Sequence, residues 1–202
     1  MVAPSTVRRS TIVGANPGAP RRATEAGPAR LVTSRLCLDP LRVEDAEAMT
    51  GVLADPALYR FTGGEPPSVD GLRRRYAAQV AGSSPDGTER WLNWIVRLAP
   101  DDDGPGAAAE PAPAIGFVQA TVIDDGHSAD IAWVIGIGWQ GQGYAAEAAA
   151  ALVGWLREGG LAEITAHVHP DHLASARVAA RAGLLATDEV EDGERVWRLR
   201  EG

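Results

Sequence analysis

The chain of 202 residues contains one cysteine, no lysine and no long apolar run. A single cysteine excludes a disulfide-stabilised scaffold and any metal cluster that several thiolates hold. No apolar run approaches the roughly 18 residues needed to cross a bilayer, so we expect no membrane span and no membrane partner. The net charge of -8 leaves no broad basic surface, so we do not expect nucleic acid as a partner.

The first 30 residues differ in composition from the rest. They contain five arginines, one acid and many prolines, glycines and alanines, with no apolar periodicity. Such a segment buries too little apolar surface to offset the entropy of ordering, so we predict a disordered tail over residues 1–30. It lacks the apolar stretch of a secretory signal, and we expect a cytoplasmic protein. Residues 31–202 then form one domain of ordinary size.

The remainder alternates strand-like and helix-like segments. Apolar residues recur at period two over 35–41, and a helical period follows residue 143. Ser68 can cap a helix over 69–81, and the glycines at 159–160 end the later helix. A strand is predicted over 130–137. The order β-α-α-β-β-β-α-β-α-β-β predicts an α/β fold in which a mixed sheet carries helices on both faces.

A glycine-rich turn over 136–143 joins a strand to the long helix. Free N–H groups and the positive end of the helix dipole attract a phosphate at such a position, and glycine lets the backbone approach it. The turn therefore predicts an anion site. Its glycines also match the dinucleotide fingerprint Gly136-x-Gly138-x-x-Gly141. That fold requires further βαβ units after the motif, however, and only about 60 residues remain.

The segment Gln140-Gly141-Gln142-Gly143-Tyr144-Ala145 resembles the Gln/Arg-x-x-Gly-x-Gly/Ala signature of the GNAT N-acetyltransferase superfamily. Its extension through Glu147 is similar to Gly-Tyr-Ala-Thr-Glu-Ala of the RimJ/RimL-like branch, which acetylates ribosomal-protein N-termini. Residues 35–41 resemble that branch's opening strand. Residues 169–184 resemble its His-Pro-x-Asn-x-x-Ser…Gly-Phe segment. The resemblance extends in order over about residues 31 to 200.

This resemblance implies a GNAT fold, whose mostly antiparallel sheet is split in the middle and holds acetyl-CoA in the split. The strand before the turn would pair with the pantetheine arm, and the turn would hold the diphosphate. His172 stands where the family has asparagine, close to the pantetheine. The implied acetyl-CoA-binding residues are Val134, Ile135, Gln140, Gly141, Gln142, Gly143, Tyr144, Ala145 and His172.

The resemblance also implies a direct attack of an acceptor amine on the thioester. Ser175 matches the family serine near the sulfur and is our candidate for helping to protonate the thiolate, while Asp130 is a candidate base that acts through water. Glu65 lies in the loop that builds the acceptor pocket in this family, where it would attract a cationic amine. We expect a small-molecule amine or a protein N-terminus as acceptor, no metal, and a monomer or homodimer.

Two other functions remain open at this point. Because His172 replaces the family asparagine, the chain could be a catalytically silent GNAT fold that binds acyl-CoA as a sensor. The run His167-x-His169-x-Asp171-His172 also matches the His-x-His-x-Asp-His motif of metal-dependent hydrolases. No histidine follows it in the chain, so the further ligands of such a site are missing.

Overall fold

A computed structural model of the chain describes residues 27–100, 112–123 and 127–199. Among the helices in these residues, none has the length and apolar content that a membrane span requires. The strands are β1 Leu31–Val32, β2 Leu36–Pro40, β3 Arg90–Leu98, β4 Ala114–Ile123, β5 Ser128–Ile135, β6 Glu163–Val168, β7 Leu184–Glu191 and β8 Glu194–Leu199. These eight strands form one sheet in the order β1-β2-β3-β4-β5-β6-β8-β7. The helices are α1 Ala46–Val52, α2 Val69–Val80, α3 Tyr144–Glu158 and α4 Leu173–Arg181.

The sheet is mixed and mostly antiparallel, as predicted. All neighbouring strands run antiparallel except β5 and β6, which are parallel. A dinucleotide-binding fold would instead be a largely parallel sheet. The antiparallel pairing therefore excludes the interpretation of the glycine-rich turn as a dinucleotide fingerprint.

The helices cover both faces of the sheet. One apolar cluster joins α3 and α4 to the sheet and includes Trp94, Leu152 and Ile164, each fully buried. A smaller cluster beneath α1 and α2 includes Met49 and Leu72. Alternate residues of a strand point to opposite faces, so a central strand such as β3 supplies both clusters. Accordingly Trp94 belongs to the first cluster and its neighbour Ile95 to the second.

Local signals predicted some element boundaries and missed others. The Ser68 hydroxyl accepts a hydrogen bond from the Gly71 N–H at 3.2 Å, so Ser68 caps α2 as predicted. The strand expected over 130–137 instead spans Ser128–Ile135, and a 3-10 turn over Ile137–Trp139 follows it.

The last residues of the predicted tail, Ala29 and Arg30, contact the domain in the structure. The carbonyl of Ala29 accepts a hydrogen bond of 2.7 Å from the indole N–H of buried Trp94. Arg30 forms an ion pair of 3.0 Å with Asp39. The domain's contacts thus begin before residue 31, while the disorder predicted for residues 1–26 lies outside the described residues.

Candidate functional site

The sheet separates between β5 and β6. The two strands pair only where Ser128, Ala129 and Asp130 face Glu163, Ile164 and Thr165. Beyond Asp130, β5 stays paired with β4 as far as Ile135. The side of β5 that faces β6 is therefore left without a partner strand, and a gap opens towards the ends of both strands. The glycine-rich turn and the start of α4 flank the mouth of this gap.

The register with β4 decides which peptide groups of β5 face the gap. The N–H of Gly136 donates to the carbonyl of Ile115 at 2.9 Å. Hydrogen-bonded and free positions alternate in an antiparallel pair. The N–H and C=O of Val134, two residues before Gly136, therefore also point towards β4. Trp133 and Ile135 present their peptide groups to the gap. The backbone of Val134, predicted to face a ligand, is therefore engaged with β4, whereas Trp133 lies beside Ile135 in the set that faces the gap.

The glycine-rich turn has the backbone shape of an anion cradle. Gly141 and Gly143 have φ values of +79° and +85°, a region that residues with a Cβ rarely adopt. Gly143 is the N-cap of α3, and no side chain caps the helix. The first N–H groups of a helix lack carbonyl partners within it. Those of Tyr144 and Ala145 are accordingly open to a ligand.

Side chains of the turn brace it against the rest of the domain. The amide of Gln140 donates to the Ile135 carbonyl at 2.9 Å, which ties the turn to the end of β5. The carbonyl of Gln142 accepts from Arg35 Nη1 at 3.0 Å. The Arg35 guanidinium also lies 4.8 Å from the centre of the Tyr144 ring. The turn is therefore held by β5 on one side and by the start of β2 on the other.

Glu147 completes this bracing from the first turn of α3. Its carboxylate accepts hydrogen bonds from the Thr33 hydroxyl at 2.6 Å and from Arg35 Nε at 2.7 Å. Burial alone would raise the pKa of Glu147, but the hydrogen bonds from Thr33 and Arg35 outweigh it and lower that pKa. Glu147 therefore stays ionised, and it joins α3 to the segment before β2.

At the other side of the mouth, His172 is the N-cap of α4. Its Nδ1 accepts a hydrogen bond from the Ser175 N–H at 3.3 Å. Burial lowers the pKa of His172, which favours the neutral ring that this acceptor role needs. The ring stacks on Phe61 with centroids 4.4 Å apart. His172 thus performs the capping function that asparagine performs well at helix starts.

Phe61 brings the loop between α1 and α2 to the mouth of the gap. Its ring lies 5.3 Å from that of His169 as well as on His172. Glu65 follows in the same loop and is exposed. A cleft of about 500 Å³ opens where the end of α1, at Val52, faces the 3-10 turn after β5. The loop that carries Glu65 therefore contacts the start of α4 through Phe61, and its first residues, Ala54 to Pro56, line this cleft.

Asp130 lies at the closed end of the gap, in the last pair between β5 and β6. Its Oδ1 accepts from the Thr165 hydroxyl at 3.3 Å and lies 3.7 Å from His167 Nε2. Only 17% of each of the Asp130 and His167 side chains is exposed. Burial raises the pKa of Asp130 to about 6, although His167 and Thr165 act in the opposite direction. A carboxyl with a pKa near neutrality is suited to accept a proton.

The histidine run does not form a metal centre. His167 contacts Asp130 on β5, whereas His169 and His172 contact Phe61. Among the described residues, no group of three or more histidines, cysteines or acids is arranged to hold a metal ion. The metal-hydrolase interpretation therefore has no ligand set in this part of the chain.

Sequence reasoning missed four residues that border the gap and its mouth. Arg35 was recognised only as part of an opening strand, and His167 only as part of the metal motif. Phe61 and Thr165 were not singled out as site residues. Arg35 and Glu147 are 112 positions apart, so no local spacing pairs them. Their opposite charges were the only available signal.

Comparison with known proteins supports one family. The model of the acetyltransferase (GNAT) domain matches residues 35–185, which is most of the chain. No curated protein sequence matches significantly.

Solved structures share the fold at low sequence identity. An acetyltransferase from Agrobacterium tumefaciens is 24% identical, with a TM-score of 0.64 over 96% of this chain and 100% of its own. RimL, the ribosomal L7/L12 alpha-N-protein acetyltransferase solved with coenzyme A, is 16% identical, with a TM-score of 0.64 over 84% and 97%. A spermidine N-acetyltransferase from Vibrio cholerae, solved with CoA and spermine, is 19% identical, with a TM-score of 0.62 over 82% and 94%.

Proposed function

The chain belongs to the GNAT family of acetyltransferases, and on that premise we propose that it transfers an acetyl group from acetyl-CoA to a primary amine. One observation carries the proposal. The unpaired edge of β5 leads directly to a glycine turn whose φ values open the uncapped start of α3. An extended chain can add to such an edge by main-chain hydrogen bonds, and a phosphate can bind at the helix start. Acetyl-CoA combines both features in one molecule.

The residues of the gap fit this donor. The peptide groups of Trp133 and the N–H of Ile135 would bond the amides of the pantetheine arm, since the Ile135 carbonyl already accepts from Gln140. The N–H groups from Gly141 to Ala145 would bind the diphosphate. Gln140 would hold the turn in shape through its bond to the Ile135 carbonyl. The thioester would then lie inside the gap, between Ser175 at the start of α4 and Asp130 at the closed end.

Asp130 is the proposed base of the reaction. Only a neutral amine attacks the thioester carbon, so the acceptor must first lose a proton. The raised pKa of Asp130 allows the carboxylate to take that proton, directly or through one water, at near-neutral pH. His167, 3.7 Å away, lies where it can stabilise the carboxylate. Holding the amine and the thioester together supplies a large further part of the rate.

Ser175 is proposed to help protonate the leaving thiolate: its hydroxyl donates a hydrogen bond to the sulfur and passes on a proton from water, so that the hydroxyl itself is restored. It lies in the first turn of α4, and its N–H is already bonded to the ring of His172. Among the described residues its hydroxyl has no partner, so the hydroxyl can turn towards the sulfur. His172 would contact the pantetheine arm by the Nε2 edge of its ring, since Nδ1 is used in the cap.

A small cationic amine is the proposed acceptor class. Residues 31–202 contain 14 arginines and 26 acids, and this negative charge attracts cations. Glu65 lies in the loop that Phe61 brings to the mouth of the gap. The structural neighbours include a spermidine N-acetyltransferase solved with CoA and spermine and a ribosomal L7/L12 alpha-N-protein acetyltransferase. We expect this chain to use a small cationic amine, like the spermidine N-acetyltransferase, and not a protein N-terminus.

The first test measures thermal unfolding with acetyl-CoA, and with NAD and zinc as controls. A ligand at 100 times its dissociation constant adds about 2.7 kcal/mol to the free energy of unfolding. The proposal requires a rise in Tm with acetyl-CoA alone. A rise with NAD or zinc but not with acetyl-CoA would overturn it.

The second test measures release of free CoA thiol with a panel of amines that includes spermine, aromatic amines and peptides with free N-termini. Turnover with a cationic amine supports the proposed acceptor class, and turnover with peptides alone excludes it. Binding of acetyl-CoA without turnover of any amine would favour the silent acyl-CoA sensor instead.

A further inference from the structure

We infer that Arg35 binds the diphosphate of acetyl-CoA and supplies the positive charge that the glycine turn itself lacks. This inference rests on the proposed function, because it concerns the same acetyl-CoA site. It assigns a binding role to a residue that lies outside the signature, at the start of β2.

The position of Arg35 against the turn is well defined. Its Nη1 donates to the Gln142 carbonyl at 3.0 Å, and its Cζ lies over the Tyr144 ring at 4.8 Å. A Cβ on Gly143 would stand 3.5 Å from Arg35 Nη2. The guanidinium therefore lies directly beside the N-cap of α3, where the diphosphate would bind.

Arg35 keeps donors available for a ligand. A guanidinium carries five N–H groups. In the described residues, Nε donates to Glu147 Oε2 at 2.7 Å, Nη2 forms an ion pair with the same oxygen at 2.6 Å, and Nη1 donates once, to Gln142. At least one N–H group on each terminal nitrogen therefore has no partner among the described residues. The side chain is 47% exposed, so a phosphate oxygen can reach them.

The charge balance at this helix start makes a cation necessary. Residues 136–147 contain no arginine or lysine. Glu147 places a negative charge in the first turn of α3, where it competes with a phosphate for the positive end of the helix dipole. Arg35 compensates Glu147 by its ion pair. Its planar fork also suits charge-assisted hydrogen bonds to phosphate.

The test measures the Kd of CoA by isothermal titration calorimetry for the wild type, Arg35→Gln, Glu147→Gln and the double variant. A lost charge-assisted hydrogen bond weakens binding by about 10- to 100-fold, which is the loss we expect for Arg35→Gln. Glu147→Gln releases Arg35 from its ion pair but keeps an amide oxygen that can accept from Thr33, so this variant is the reference for the double variant. Arg73→Gln is the matched control, since Arg73 is 45% exposed and also paired with acids; its Kd should not change.

The double variant distinguishes direct binding from charge compensation. Removing both charges leaves the local net charge as in the wild type. If Arg35 contacts the diphosphate, the double variant stays at least about 10-fold weaker than Glu147→Gln. A return to the wild-type Kd would show that Arg35 only neutralises Glu147, and would overturn the inference. If Arg35→Gln fails to fold, Arg35→Met takes its place in the same comparison, and a Kd equal to that of the wild type would overturn the inference.

A second ligand identifies the phosphate. With 3′-dephospho-CoA, the loss caused by Arg35→Gln should persist, because the diphosphate is still present. A loss seen only with CoA would assign Arg35 to the 3′-phosphate and overturn the diphosphate assignment. Failure of the wild type to bind either ligand would refute the proposed function itself, and is thus distinguishable from failure of this inference.

Discussion

Replacing the buried carboxyl at the closed end of the gap should stabilise the protein while it lowers activity. We expect Asp130→Asn to be more stable than the wild type at pH 8. The reason is that the ionised carboxylate is buried between β5 and β6, with the charges of Glu191 and Glu194 acting in the same direction. Asparagine keeps an oxygen for the Thr165 hydroxyl but carries no charge to desolvate.

The size of this effect follows from the pKa of Asp130. Burial raises it from 3.8 to about 6, so the folded state binds the proton more tightly than the unfolded chain. Stability therefore falls as the pH rises from about 4 to about 6, and the full cost is present above that range. At 1.36 kcal/mol for each pKa unit, the cost is about 3 kcal/mol. Asp130→Asn should recover up to this amount at pH 8 and almost none at pH 4.

The assay is guanidinium-induced unfolding of both proteins at pH 4 and pH 8, together with kcat at pH 8. Asp86→Asn is the control: hydrogen bonds from Ser84 and Thr88 lower the pKa of exposed Asp86 to about 2, so its replacement should destabilise at pH 8. The reasoning is refuted if Asp130→Asn is less stable than the wild type at pH 8. In that case the attraction of His167 outweighs burial. Unchanged kcat would refute Asp130 as the base.

Three further changes test other parts of the site. Gly143→Val should abolish CoA binding without unfolding the protein, because valine disfavours the φ of +85° that Gly143 adopts. Calorimetry measures the affinity for CoA, and circular dichroism checks the fold. An unchanged affinity would contradict the assignment of the turn. Ser175→Ala should lower kcat about 10-fold or more and leave the Kd of acetyl-CoA unchanged; equal loss of both would indicate a packing role. His172→Asn should keep the α4 cap and remove the pH dependence of stability that the His172 ring causes. Because the pKa of His172 is lowered, its contribution to wild-type stability is complete above about pH 6.5 and is lost as the pH drops below it. If the stability of His172→Asn falls with pH as steeply as that of the wild type, His172 is not the cause.

The glycine signature by itself provides only part of an anion site. Glycines and a helix start provide geometry and partial charges, but the first turn of α3 carries a full negative charge at Glu147. A cation from the segment just before β2, Arg35, compensates that charge. Variation at Arg35 would therefore alter donor affinity even with an intact signature.

Features that depend on near neighbours in the chain were determined by the sequence. The cap at Ser68, the helix start after Gly143 and the period-two strand at β2 all follow from local dihedral preferences and hydrogen bonds. The candidate donor-binding turn was located in the same way. These elements in their order, together with the resemblance of the signature, were enough to predict a mixed sheet with helices on both faces.

Only the tertiary structure decided what these elements bring together. Asp130 and His167 meet because β5 and β6 are adjacent before they separate. Arg35 reaches the turn because β2 packs near α3. The register with β4 turns the backbone of Val134 away from the gap, a result that one hydrogen bond at Gly136 reveals. Such pairings depend on packing between residues far apart in the chain, and no local pattern specifies them.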